Sequence, residues 1–252
     1  MNYEIREIPN GMLVFAGGRC LAGVGRNYYR PWLYPLYTPN GLCVLQEFPF
    51  DHPFHNGCFV AQNPVRLGGR EANFWAVPPQ REASDEVFVH VGRVQSELEG
   101  RAAESSVLIL LRNVWLDERG EPVLDEQRSY EVFLDHDATV CEVTSRKIAA
   151  YGDLEFPASK FGGVAVRVDP RLLPVSGGTI IGQHDSPSAF VAYENAAAGF
   201  GIRLVGSDAS VPWFVRDYGL ALHNPTWQRA LRLARGEAWE ISLRLVAYTI
   251  GA

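Results

Sequence analysis

The sequence predicts an all-β protein, a single large antiparallel β-sandwich domain spanning residues 1–252. Three observations predict it. Runs rich in β-branched and aromatic residues alternate with period two, turn residues separate them at short intervals, and helical composition is confined to residues 228–234. Many short strands without intervening helices pack as sheets face to face.

The strand runs, in order, are 12–16, 87–91, 107–115, 130–134, 139–148 and 240–250. The first follows Pro9-Asn10-Gly11, and a second such turn stands at Pro39-Asn40-Gly41; Asn-Gly between apolar segments is a hairpin signal. Asp117-Glu118-Arg119-Gly120 closes the run at 107–115, and Asp135-His136-Asp137 closes the run at 130–134. In the next run Thr139, Cys141, Val143 and Ser145 share one face, against Val140, Glu142, Thr144 and Arg146 on the other. Ser176-Gly177-Gly178 marks a later turn. No Ser/Pro/Gly linker divides the chain and no propeller-type repeat recurs, so one sandwich accounts for the length better than two domains.

Composition narrows the function classes. With 23 Lys+Arg against 29 Asp+Glu, the net charge of −6 offers no basic field for a phosphate backbone, which argues against nucleic acid as a partner. No apolar run approaches the roughly 18 residues of a membrane span, and the first residues lack a signal-peptide layout. A soluble cytoplasmic protein with no membrane partner is expected. Cys20, Cys43, Cys58 and Cys141 show no Cys-x-x-Cys spacing and read as reduced, mostly buried thiols.

The polar residues that attract attention lie between Arg30 and Trp75. In Asp51-His52-Pro53-Phe54-His55-Asn56-Gly57, two imidazoles beside a carboxylate and broken by proline belong to a loop, where sites are commonly built. Histidine titrates near neutrality, so the pair suits general acid/base work, with Asp51 orienting one ring. The same turn also reads as purely structural, its imidazoles bonded to backbone carbonyls. His52, His55 and Glu71 would make a two-histidine, one-carboxylate set for a divalent metal, although their spacing matches no standard signature. Lys160, just before a run of small and branched residues, suits an enolate or anionic oxygen, or plain solvation. Arg216 is equally a substrate clamp or half of an internal pair with Asp217. His184 and His223 stand beside turn residues and suit a pocket mouth or an ordinary surface. No Gly-x-Ser-x-Gly elbow and no phosphate-cradling glycine motif occurs, so no nucleotide cofactor is expected. Trp32, Tyr34, Tyr37, Phe54, Phe74, Trp75, Trp213 and Trp227 flank these clusters; such side chains stack on sugar rings, or pack a core.

Four motifs share an order with a known family. Residues 30–39 (Arg-Pro-Trp-Leu-Tyr-Pro-Leu-Tyr-Thr-Pro), the 51–57 turn, Lys160-Phe161-Gly162-Gly163 and residues 213–219 (Trp-Phe-Val-Arg-Asp-Tyr-Gly) resemble a bacterial family of unknown function labelled methane-oxygenase PmoA-like. The resemblance runs from about residue 28 to the C-terminus. It implies a galactose-mutarotase-like supersandwich, a shape whose members mostly handle sugars, which is an analogy from fold. The oxygenase label does not carry over, because a membrane-embedded subunit needs spanning helices. The family reads Asp-His-Pro-His-His-Arg-Gly and Lys-Glu-Gly-Gly, so His52, His55 and Lys160 match while Phe54, Asn56 and Phe161 depart. Those departures weaken a three-histidine metal site and imply a more apolar pocket, suited to a sugar bearing an aryl group.

The expectation is an acid/base enzyme on a sugar or sugar-derived substrate, oxidised or aryl-substituted, working by epimerisation, mutarotation or β-elimination. His55 is the expected general base, His52 its acid or orienting partner, and Lys160 the stabiliser of charge developing on oxygen. Arg30, Tyr34, Asp51, Glu71, Asn73, Trp75, His184, Arg216 and His223 are expected to bind the substrate. The alternatives are a non-catalytic carbohydrate-binding protein or accessory subunit, and a metal-dependent glycoside lyase or hydrolase using His52, His55 and Glu71.

Overall fold

The computed structural model describes residues 2–77 and 89–251. They form three antiparallel sheets of nine, eight and four strands. The nine-stranded sheet runs, in spatial order, Tyr3–Ile8, Gly11–Ala16, Arg19–Arg26, Pro31–Leu36, Cys58–Gln62, Gly162–Arg167, Leu220–His223, Pro212–Val215 and Ser186–Pro187. The eight-stranded sheet runs Thr179–Ile181, Phe190–Asn195, Phe200–Gly206, Ala238–Thr249, Ala138–Ile148, Pro122–Asp135, Val107–Leu116 and Arg93–Ala102. Among the described residues there is no α-helix, only single 3-10 turns at Pro170–Leu172 and Pro174–Ser176.

Local chemistry explains the hairpins. Ile8 pairs with Gly11 across Pro9-Asn10, and Asn10 takes φ 63°, a left-handed conformation that asparagine tolerates. Asp135 pairs with Ala138 across His136-Asp137 in the same way. The two large sheets bury one apolar layer between them: Val14, Val24, Leu33, Val60, Val164 and Val166 come from the first, Ile109, Val132, Val143, Ile202, Leu243 and Leu245 from the second.

Charges lie inside that layer. Glu126, Arg128 and Lys147 are all fully buried on the inward faces of Pro122–Asp135 and Ala138–Ile148. Glu126 accepts from Arg128 Nε (2.8 Å) and Nη2 (2.7 Å), Asn113 Nδ2 (2.9 Å), Trp115 Nε1 (2.8 Å) and Ser145 Oγ (2.5 Å). Burial opposes its ionisation, but the Arg128 charge and these bonds hold its pKa at about 2.

Two local expectations need correction. Residues 228–234 contain the strand Leu231–Leu233, which pairs with Leu154–Phe156 in the four-stranded sheet, so pairing partners outweigh helical composition there. Of the run at 87–91, residues 87 and 88 lie outside the described residues. Val89 and His90 form a turn and Val91 makes a single bridge to Asn73. His90 takes φ 51° and is exposed beside Glu118 (3.3 Å).

Candidate active site

Strand alternation gives the nine-stranded sheet a second apolar face, turned away from the sandwich core. On Leu220–His223, Leu220 and Leu222 face outward while Ala221 belongs to the core. Phe59, Ala61, Ala165 and Phe214 join them from neighbouring strands, and Phe54 and Trp75 cover them from the connections. A cleft of about 310 Å³ opens over this face. Its polar side chains are His52, His55, Lys160 and Arg216; its aromatic walls are Phe54, Trp75, Phe161, Phe214 and Tyr218; Leu220 and Leu222 complete it.

The histidine turn is tied down along its length. His55 N–H donates to the His52 carbonyl (2.9 Å), Gly57 N–H to Gln46 O (2.8 Å), and Arg167 N–H to Gly57 O (2.8 Å). Gly57 takes φ 52°, and a Cβ there would lie 2.1 Å from the Leu33 carbonyl oxygen, so only glycine closes this turn. Arg30, fully buried, donates through Nη1 to Trp75 O (2.9 Å) and through Nη2 to Phe54 O, with its guanidinium 4.1 Å from the Phe59 ring. Asn73 accepts from Trp75 N–H (2.9 Å) and Ala76 N–H (3.3 Å). Arg30 and Asn73 thus hold the walls of the cleft from behind it.

The two imidazoles stack in parallel, 4.7 Å between centroids and 1° between planes. His52 also lies parallel to Tyr218 at 5.3 Å, and Trp75 stands edge-on to His55 at 5.5 Å. Their electrostatics differ. His52 Nδ1 lies 2.8 Å from Asp51 Oδ2, and the other Asp51 oxygen accepts from Arg167 Nη2 at 2.6 Å. Partial burial works against the Asp51 carboxylate, but the bonds from His52 and Arg167 and the Arg167 charge outweigh it and lower its pKa. His55 is 2% exposed, and neither of its ring nitrogens has a hydrogen-bond partner among the described residues. Burial first, then the charges of His52, Arg167 and Arg30, hold its pKa well below the usual histidine range. Lys160 is exposed with its ammonium 5.0 Å from the Phe161 ring, and half-buried Arg216 has its guanidinium 4.1 Å from the Phe214 ring.

Of the residues singled out in the sequence, His52, His55, Trp75, Lys160 and Arg216 meet in this cleft, although they are up to 164 positions apart (52 to 216). Asp51, Arg30 and Asn73 stand behind it. His184 packs on Trp227 (5.3 Å) and Phe214 (4.9 Å) and accepts from Val215 N–H (3.2 Å), outside the lining. Tyr34 also lies outside the lining, on Pro31–Leu36. Glu71 pairs with Arg66 (2.9 Å) in the four-stranded sheet, so the metal set of His52, His55 and Glu71 is not assembled. No group of three or more His, Cys, Asp or Glu is gathered for a metal among the described residues. His223 follows Ala221 in strand parity and lies fully buried against Trp213 (5.2 Å), not at a pocket mouth. Sequence reasoning missed Arg167. Its signal is an arginine ending a strand of otherwise small and branched residues, because a buried guanidinium needs a partner.

A family model described as "Family of unknown function (DUF6807)" matches residues 23–250. No curated protein matches the chain. Among solved structures, the Slr1438 protein from Synechocystis sp. PCC 6803 is similar at 10% identity and TM-score 0.44, over 99% of this chain and 96% of that one. Galactose 1-epimerase from Lactobacillus acidophilus NCFM is similar at 9% identity and TM-score 0.43, over 99% and 98%. No helix among the described residues is long and apolar enough to cross a membrane.

Proposed function

Because the chain belongs to a family of unknown function, its chemistry has to be argued from the cleft, and we propose that this cleft is the active site of an acid/base enzyme on a sugar or sugar-derived substrate. One observation carries the reading: the parallel His52–His55 pair, set among aromatic walls and two cations. Asp51 receives the Nδ1–H of His52, an assignment made from the 2.8 Å contact, so Nε2 keeps a lone pair for a substrate proton. His55 stays neutral and offers its ring to a substrate oxygen.

In this reading His52 removes a proton from the carbon next to a carbonyl. The C–H electron pair becomes the enolate π bond as the carbonyl π pair moves onto oxygen, where Lys160, Arg216 and a His55 N–H stabilise it. Delivery of a solvent proton to the other face, while His52 passes the first proton to water, gives the epimer. Loss of a β-substituent, which leaves as an alcohol on taking up a proton, gives the elimination product. Trp75, Phe161 and Phe214 accept the apolar face of the sugar. The roles of the two histidines are exchanged relative to the sequence expectation. The Asp51 bond orients the His52 ring with Nε2 free for a proton, while desolvation makes His55 a weak base.

A non-catalytic sugar-binding role is the second reading. Phe54 and Phe161 favour it, since both line the cleft at positions where the resembling family carries polar groups. Proton NMR in deuterium oxide, with a panel of keto-sugars and aryl glycosides of oxidised sugars, separates the two. The enzyme exchanges a substrate C–H, and folded His52→Ala slows that exchange by about 10²-fold or more. Unchanged exchange in that variant removes His52 from the mechanism, and binding with no exchange establishes the second reading.

A further inference from the structure

The charges around the cleft are one-sided. The chain carries a net charge of −6, yet among the described residues the cleft is lined by Lys160, Arg216 and two imidazoles and by no carboxylate. Neither cation enters an ion pair among the described residues; each rests near an aromatic ring instead. Among the described residues, the neighbouring carboxylates are engaged or turned to solvent. Asp51 is bound by His52 and Arg167, Glu47 accepts from Trp32 Nε1 at 2.7 Å, Asp185 accepts from Gln228 Nε2 at 2.7 Å, and Asp217 is exposed. His55 supplies an independent sign of a ligand. It lines the same cleft, 2% exposed, and buried ring nitrogens without partners are unusual in folded proteins.

We propose, resting on the sugar reading above, that the substrate is a sugar carboxylate of the uronate class. Arg216 and Lys160 hold its carboxylate, Trp75 and Phe161 take its ring, and a hydroxyl or carbonyl oxygen reaches His55. A planar carboxylate matches the fork of a guanidinium. Phosphate is more often cradled by helix N-termini or runs of backbone N–H groups, and the described residues contain no α-helix to supply one. Neutralising the carboxylate also eases removal of a proton from the carbon that bears it, which ties the substrate class to the base at His52.

Calorimetric titration of the full chain tests this with matched pairs: galacturonate and galactose, glucuronate and glucose, an aryl glucuronide and the aryl glucoside. Glucose 6-phosphate serves as the phosphate arm. The acid of at least one pair should bind about tenfold or more tighter than its neutral partner, with the advantage shrinking as salt rises. Arg216→Gln and Lys160→Met, each checked for folding by thermal melt, should bring the acid-to-neutral ratio down towards one. Equal affinity for acid and neutral sugars overturns the carboxylate proposal and leaves the sugar enzyme standing. Tighter binding of the phosphate also overturns it. No binding of any of these sugars by the wild type overturns both.

Discussion

Replacing His223 by leucine tests how burial tunes the histidines of this fold. His223 is 0% exposed, both its ring nitrogens lack partners among the described residues, and a Cβ on Gly206 would strike its ring. Burial pushes its pKa down to about 4, against a weak opposing pull from Asp208. In the window between about 6.5 and 4 the unfolded chain binds a proton that the folded chain refuses. The contribution is therefore whole above 6.5 and is lost as pH falls towards the folded value. Between pH 7.5 and pH 5 a shift of this size removes about 2 kcal/mol of stability. His55, lowered for the same reason, adds a loss of the same sign.

Other strongly shifted groups act elsewhere on the pH axis. Burial brings Lys147 to about 8, so its loss is complete before neutrality, and Glu126 at about 2 acts mainly below pH 4.5. Urea unfolding followed by tryptophan fluorescence at pH 7.5 and pH 5 isolates the histidines. The wild type should lose at least about 2 kcal/mol, and His223→Leu should lose about 2 kcal/mol less than the wild type does, whatever its stability at pH 7.5. Equal acid losses in the two proteins would refute the assignment of a neutral buried imidazole.

Three further outcomes follow from the same geometry. Glu126→Ala strands the buried Arg128 without its counter-ion and should cost about 3–5 kcal/mol in urea unfolding; a loss under about 1 kcal/mol sinks the claim that this pair neutralises the core. Gly57→Ala forces a side chain into φ 52° and onto the Leu33 carbonyl, so it should destabilise by about 2 kcal/mol or more, and a wild-type melting temperature would contradict the turn described. Asp51→Asn removes the acceptor that orients His52 and should slow substrate proton exchange about tenfold or more, with an unchanged rate counting against that role.

Different parts of this molecule were legible to different degrees. The hairpins at Pro9-Asn10 and His136-Asp137 could be read because their signal is local: a residue that tolerates positive φ between two alternating runs. Residues 228–234 were misread because the strand Leu231–Leu233 owes its existence to Leu154–Phe156, about 75 positions away, which no local window contains. The 51–57 turn declared itself through residue types alone. Its convergence with Lys160 and Arg216 depends on Cys58–Gln62, Gly162–Arg167 and Leu220–His223 being neighbours in one sheet, a fact of topology. His223 shows the remaining gap. Its parity with Ala221 is visible in the sequence, but which parity faces the core depends on which side of the sheet the second sheet covers.

The fold also treats its cations in two ways, and the contrast bears on the cleft. Between the sheets, Arg128 and Lys147 share Glu126, whose carboxylate receives five hydrogen-bond donors. An interior charge left without such a partner would be strongly destabilising. Behind the cleft, Arg167 has Asp51, which also fixes His52. Inside the cleft, Lys160 and Arg216 have no such carboxylate among the described residues, although the chain holds more acidic than basic side chains. Stability alone does not call for two cations in one cleft without a carboxylate between them, since like charges repel. An anion placed among them relieves that repulsion, so the arrangement that costs the free protein stability is the one that favours a negatively charged ligand.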